Sequence, residues 1–278
     1  MTPSRIMARA IHISDVHAGR QDDRIVEEML LDIAKLEPDV VLAGGDFTQR
    51  SRRAEWSRAA GWMGRLDSAV LATPGNHDIP LFDFPRRIVS PFGRYSEWVG
   101  DDLEPELLLS GLRCLALKTA APERRAEGAI SPDSLALLGQ RASRQTECDL
   151  TILLTHHPVA AHPEANPGKS ARGSSEALDL AVTAEVDLLL SGHTHRRRSG
   201  PFVLDHGGRS MVVAHTGTAC STRLRGNEPQ AWQTIDSQGE RMVITPHIWD
   251  DAEFRFRTGP VTAWERTESG WKESSAGA

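Results

Sequence analysis

Six apolar, partly β-branched runs punctuate this chain: RAIHISDVH, DVVLAGGDF, AVLATPGNHD, LRCLALKTA, LTILLTHHP and VDLLLSGHTH. Five of the six end in a loop that holds Asp, Asn or His, and only LRCLALKTA does not. Continuous runs of this length read as strands buried on both faces. Between them lie helical patterns. Residues 22–36 set Ile25, Met29, Ile33 and Leu36 on one face, and residues 51–66 do the same with Trp56, Ala59, Met63 and Leu66. Ser131 followed by Pro132 is a helix start, and residues 175–185 carry a shorter helix. Strand, helix, strand implies βαβ units and an α/β fold with mostly parallel strands. Asp15 to Asp46 is 31 residues and Asp46 to Asn76 is 30, about the length of one such unit. Ligands of these folds bind beyond the carboxyl ends of the strands, where every one of the polar loops falls.

Three parts of the chain differ in texture. Past residue 210, MVVAHTGTACSTRL, QAWQTIDSQ and ERMVITPHIW are expected as antiparallel strands. Residues 79–110, rich in Pro, Arg and aromatic residues, are expected as a cap or rim inserted into a single domain spanning 1–258. Residues 259–278 are polar and Gly/Ser-rich and are expected as a C-terminal tail, disordered over the last eight. Three cysteines without metal-type spacing, no run approaching ~18–20 apolar residues and no signal-type N-terminus point to a cytoplasmic chain with reduced thiols and no membrane span. A net charge of −6 argues against nucleic acid as partner.

The loop residues Asp15, His17, Asp46, Asn76, His156, His193 and His195 make a set of two carboxylates, four imidazoles and one amide. That set is too large for one tetrahedral ion, contains no thiolate, and suits a pair of first-row divalent cations with one carboxylate bridging. In Asp15-x-His17 and His193-x-His195, alternation along an extended strand end would turn both side chains to one side. Of the neighbouring histidines, His157 is expected outside the ligand set, and the run Arg196–Arg198 as a solvated face.

The ordered motifs SDVH, GGDFTQR, GNHD, THHP and GHTH resemble the calcineurin-like metallophosphoesterase superfamily over about residues 10–220. More narrowly they are similar to bacterial class III cyclic-nucleotide phosphodiesterases and their glycerophosphodiesterase relatives. The resemblance implies a four-layer α/β/β/α sandwich of two mixed sheets. It also implies two divalent metals, with Mn, Fe or Zn favoured over Mg by the imidazoles. It assigns Asp15, His17 and His195 to one metal, Asn76, His156 and His193 to the other, and Asp46 to both. His77 takes the catalytic place facing the substrate phosphate and the leaving oxygen. The implied activity is hydrolysis of a small phosphodiester by a metal-bridged hydroxide. A nucleotide-lipid pyrophosphatase of the UDP-diacylglucosamine type and a phosphomonoesterase stand as alternatives, a nuclease or a non-catalytic scaffold behind them, and a homodimer is left open. Arg50, Arg223 and Arg225 are candidate substrate-binding residues. In one place the chain departs from the pattern: where many members carry a carboxylate three residues after the bridging Asp, it has Gln49, so that the ring of His77 would be held by an amide unless Asp78 substitutes.

Overall fold

The computed structural model describes residues 7–109, 111–124, 126–144, 146–162, 170–197, 201–226 and 228–275. Strands β1 (Ala8–Ile13), β2 (Val40–Ala43) and β3 (Ala69–Ala72) alternate with helices α1 (Asp23–Leu36) and α2 (Arg53–Met63). Short helices α3 (Phe84–Val89) and α4 (Gly93–Trp98) lead to β4 (Glu106–Leu109). The second half repeats the theme with β5 (Leu112–Leu117), α5 (Pro132–Ala142), β6 (Leu150–Thr155), α6 (Ser174–Thr183) and β7 (Leu188–Ser191). Seven strands close the chain: β8 (Phe202–His206), β9 (Arg209–His215), β10 (Ala231–Ser237), β11 (Arg241–Asp250), β12 (Arg255–Thr258), β13 (Thr262–Thr267) and β14 (Gly270–Ser274).

All six apolar runs are strands, and β2, β5, β6 and β7 are buried along their whole length, as strands covered on both faces must be. The helix starts follow local chemistry. The Asp22 side chain accepts from the Arg24 N–H to open α1, and Ser131 Oγ accepts from the Ser134 N–H, with Pro132 at the first position of α5.

Three apolar clusters define four layers. Val40, Leu42, Ile152, Leu154, Leu188 and Val212 meet between the two halves of the sheet. The helices α1 and α2 cover one outer face through Met29, Ile33 and Trp56, and α5 and α6 cover the other through Leu138, Ala177 and Ala181. In the first half β3, β2 and β1 run parallel, and β1 pairs antiparallel with β10, Ala8 facing Ser237. In the second half β5, β6, β7 and β9 run parallel. The two sheets lie face to face as expected, and hydrogen bonds join them at one edge in a single path through the hairpin β13–β14, whose far strand meets β9 at the pair Gly270–Ser210. Gly270 has φ +118°, and a Cβ there would strike the Ser210 backbone, so only glycine allows that junction.

This hairpin corrects the expectation of a C-terminal tail. Trp264 and Trp271 are 1% and 2% exposed, and each indole removes ~200 Å² from water, on the order of 5 kcal/mol. A half-exposed antiparallel hairpin needs few apolar residues, so its composition resembled that of a tail. Residues 276–278 and Arg198 lie outside the described residues. Asp187 ties the hairpin down: its buried carboxylate accepts from Trp271 Nε1 and Arg209 at 2.9 Å, from Arg266 at 2.9 and 3.3 Å, and from the Thr151 N–H at 2.8 Å.

Within 79–110 two behaviours separate. Tyr95 of α4 is fully buried, its ring 6.0 Å from those of Phe47 and Trp56. By contrast Phe82, Phe84, Ile88 and Val89 are 64%, 56%, 80% and 83% exposed.

Candidate metal centre

The site forms where loops leave the carboxyl ends of five strands: Asp15 and His17 after β1, Asp46 after β2, Asn76 after β3, His156 after β6, and His193 and His195 after β7. The first three strands belong to one half of the sheet and the last two to the other, so the site spans the halves. Asp15, His17, Asp46, His193 and His195 all have left-handed backbone, with φ between 50° and 63°. This region costs a non-glycine residue of order 1 kcal/mol or more and gathers at functional sites. It also replaces the expected reason for the Asp-x-His and His-x-His pairs: both members turn inward from left-handed positions, not from an extended strand end.

All seven candidate ligands come together. His195 Nε2 lies 3.0 Å and His17 Nε2 3.7 Å from Asp15 Oδ1. The carboxylate of Asp46 faces both groups, with Oδ2 3.6 Å from His17 Nε2 and Oδ1 3.4 Å from His156 Nε2. Asn76 Oδ1 is 3.2 Å from His156 Nε2, and the His156 and His193 rings are 5.2 Å apart. Three triads, Asp15–His17–His195, Asp15–Asp46–His156 and His156–His157–His193, each bring three ligand atoms within 4.8 Å of one another. The third adds His157, which sequence reasoning left outside; its Nδ1 is 3.0 Å from Thr119 Oγ1.

The donor set fits cations by a hydrogen-bond argument. Carbonyl oxygens only accept, so Nδ1 of His156 donates to Gly44 O at 2.7 Å and Nδ1 of His195 to Arg223 O at 2.9 Å. Nδ1 of His17 faces Thr48 O at 3.4 Å. Rings so held turn Nε2 into the site, and the Nε2 atoms of His17 and His195 lie 3.0 Å apart. Burial lowers the His195 pKa, but Asp15 beside it outweighs this and raises it. A backbone carbonyl on the other ring nitrogen is the usual support of a metal-bound histidine. Burial drives His17 down to about 3 and His193 down to about 4, keeping both in the neutral, ligating form at pH 7. Burial pushes the Asp15 carboxyl upward, but His195, His156 and His17 together outweigh it and hold the group well below the usual range.

The surroundings hold the ligands in place. Asp15 Oδ2 accepts from Ser14 Oγ at 2.7 Å and from the His193 N–H at 2.8 Å, and Asp46 Oδ1 accepts from the His77 N–H at 2.8 Å. Such close approach needs glycine: a Cβ on Gly192 would strike Ser14 Oγ and Asp15 Oδ2, and one on Gly75 would strike Asp46. The glycines of SGH and GNH were the signal in the sequence for these supports.

Gln49 holds His77 through its amide as expected and adds a backbone contact. Its carbonyl accepts from His77 Nδ1 at 2.6 Å, and its side-chain Nε2 lies 3.3 Å from the same nitrogen. Asp78 accepts from the Thr48 N–H, Thr48 Oγ1 and the Gly75 N–H, bracing the loop without contact to the His77 ring, and burial raises it to about 7. Arg50 is exposed with its guanidinium 5.3 Å over the Phe82 ring. Arg225 is exposed and its charge is felt at His193 and His195, whereas Arg223 reaches His77 directly. In the arginine run, Arg196 is exposed as expected but Arg197 is partly buried, its N–H on Glu228.

Comparison with known proteins agrees with this geometry. A model of calcineurin-like phosphoesterases matches residues 8–197. A probable cyclic nucleotide phosphodiesterase of Synechococcus sp. is 30% identical over 222 residues, 78% of each chain. Among solved structures, a dimetal phosphatase from Danio rerio superposes with TM-score 0.62 at 16% identity, over 91% of this chain and 99% of that one. A purple acid phosphatase from yellow lupin seeds superposes with TM-score 0.66 at 10% identity, covering 92% of this chain, which spans about half (53%) of the lupin protein. These two likenesses concern the fold alone.

Proposed function

This chain belongs to the calcineurin-like phosphoesterases, metal-dependent hydrolases of phosphoesters, and from that premise we propose that it cleaves phosphodiester bonds of a small substrate of cyclic-nucleotide or glycerophosphodiester type. The observation that carries the reading is the convergence of His17 and His195 Nε2, 3.0 Å apart, on the carboxylates of Asp15 and Asp46. We assign Asp15, His17 and His195 to one divalent cation, Asn76, His156 and His193 to the other, and Asp46 to both. Four imidazoles favour Mn, Fe or Zn over Mg.

When bound, the two cations would supply the Lewis acidity that activates water and offsets phosphate charge. The chain's own groups do the rest. Two carboxylates against four cationic charges leave the centre positive, which draws a phosphodiester monoanion. Ser14 and the His193 N–H fix Asp15, and the His77 N–H fixes Asp46, so the ligand positions are set before substrate arrives. His77 stands beside Asp46 as the substrate-facing imidazole, its Nδ1 proton committed to Gln49 O.

A second reading has its own observation. The exposed Phe82, Phe84, Ile88 and Val89 would suit a diester or pyrophosphate carrying an apolar chain, as in a nucleotide-lipid. The deciding experiment is a panel on Mn²⁺-loaded protein with bis(p-nitrophenyl) phosphate, p-nitrophenyl phosphate, cyclic AMP, glycerophosphodiesters and UDP-linked lipid precursors. The reading expects the small diesters to lead in kcat/KM. A lead for p-nitrophenyl phosphate, or no turnover of any diester, overturns it; a lead for the lipid substrates transfers the site to the second reading.

A further inference from the structure

His77 Nδ1 faces two groups of Gln49, the backbone carbonyl at 2.6 Å and the side-chain Nε2 at 3.3 Å, and the nearer one decides the tautomer. That carbonyl only accepts, so the ring proton sits on Nδ1. Nε2 is therefore a lone pair, and Arg223 Nη1 donates to it at 3.3 Å. A proton on Nε2 would face that guanidinium donor to donor. The same Nη1 lies 3.4 Å from Gln49 Oε1. Among the described residues, the other guanidinium N–H groups of Arg223 donate to no protein atom, and the side chain is half-buried.

Arg223 is also built into the centre through its backbone. Thr218 Oγ1 donates to Asp15 O, the Ser221 N–H to Thr218 Oγ1 at 3.1 Å, and the Arg223 N–H to Ser221 Oγ at 3.1 Å. Its carbonyl accepts from His195 Nδ1 at 2.9 Å. One residue thus supports the ring of His195 with its backbone and reaches His77 with its side chain.

On the phosphodiesterase reading above, we propose that Arg223 is a catalytic residue that binds the phosphoryl oxygens of the substrate, with His77 and Gln49 as its positioning residues and His77 not the proton source. In the displacement, water oxygen bonds to phosphorus and the bond from phosphorus to the leaving oxygen breaks. The leaving oxygen departs with that electron pair and takes a proton from solvent, while the proton lost by the attacking water returns to solvent. Arg223 keeps its protons throughout and holds two non-bridging oxygens through its free N–H groups, the pairing for which a guanidinium is shaped. The amide at position 49 then has a reason. A carboxylate there would pair with Arg223 and cancel its charge, whereas Gln49 Oε1 steers the guanidinium and leaves the charge available.

The test compares wild type with Arg223→Ala, Arg223→Lys and Gln49→Glu, each reconstituted with Mn²⁺ and checked for metal content and melting temperature. Arg223→Ala is expected to lower kcat/KM on bis(p-nitrophenyl) phosphate ~10²-fold, the usual loss for one charge-stabilising donor. It should weaken binding of inorganic phosphate, read by calorimetry, about tenfold. Arg223→Lys should recover part of both, Gln49→Glu should resemble Arg223→Ala, and ethylguanidinium should raise the activity of Arg223→Ala at least about tenfold. Long-range ¹H–¹⁵N spectra of the Zn²⁺ form should place the His77 proton on Nδ1. Arg223→Ala within about threefold of wild type in both phosphate affinity and kcat/KM overturns the proposal, as does a loss that tracks lost metal and resists ethylguanidinium, or a His77 proton on Nε2. A wild type that turns over no diester overturns the phosphodiesterase reading instead, and the phosphate titration and the spectra still decide on Arg223.

Discussion

Adding one methyl group at Gly75 should damage the site severely, although the backbone there would accept any residue. Gly75 has φ −99°, so alanine meets no conformational penalty. All of the cost is collision: the new Cβ falls on Asp46 Oδ1, Cγ and the Asp46 backbone N. Because one of those atoms is backbone, a rotamer change cannot relieve the clash, and the ends of β2 and β3 must part. Overpacking of this kind costs ~1–3 kcal/mol. Parting the loops also breaks the His77 N–H bond to Asp46 at 2.8 Å, and a hydrogen bond to a charged acceptor is worth about 1.5–3 kcal/mol. Together these give about 2.5–6 kcal/mol. With an unfolding entropy of ~2.1 cal/mol/K per residue over 278 residues, that becomes a drop of about 4–10 °C in Tm. Displacing Asp46 should also weaken metal binding ~10–100-fold, as loss of a supporting contact does. The control is Gly61→Ala inside α2, where nothing lies within 4 Å of the added Cβ; it should stabilise by ~0.5–1 kcal/mol through helix propensity. Calorimetry and elemental analysis on both variants decide the matter. A Gly75→Ala protein that holds two metals at wild-type affinity and melts with the wild type would refute the reasoning.

Asp46→Asn should reduce bound metal and bring activity on diesters below about 1% of wild type, because it removes charge from both cation positions; near-normal turnover would dismiss Asp46 as the bridge. Asp187→Ala should cost ~3 kcal/mol in urea unfolding, since it leaves two guanidinium groups and an indole N–H without their acceptor, while metal content per folded chain stays unchanged. Truncation after residue 259 should give insoluble or unfolded protein, because it removes the buried Trp264 and Trp271 and the strand that joins the halves; a soluble truncation with native far-UV circular dichroism would show the hairpin to be dispensable.

Much of the site was legible because its ligands sit at strand ends, where the change from apolar to polar is abrupt and local. Asp15, Asp46 and Asn76 recur at about the length of one βαβ unit, which placed them at successive strand ends. What escaped reading depended on atoms far apart in sequence. The left-handed backbone at Asp15 and His195 has no marker in composition, and the contact of the Gln49 carbonyl with His77, beside that of its side chain, depends on how one loop turns. His157, expected outside the ligand set, is brought beside His193 by the packing of β6 against β7, which its sequence position does not reveal. Trp264 and Trp271 were hidden by polar neighbours, although two large apolar side chains suffice to hold a hairpin.

The pairing of β1 with β10 has a consequence for how the molecule comes into being. Ala8 waits for Ser237, so during synthesis β1 leaves the ribosome with an unpaired edge and keeps it until β10 has emerged. Such long-range pairing is slow to form, and an open edge meanwhile invites association with other chains. The early strands carry Asp15, Asp46 and Asn76, but His156, His193 and His195 arrive much later and on the other half of the sheet. A cation captured early would find only oxygen donors and no partner imidazole beyond His17. This order of synthesis predicts that metal loading follows docking of the two halves, so that refolding in chelator should proceed at the same rate as refolding in Mn²⁺.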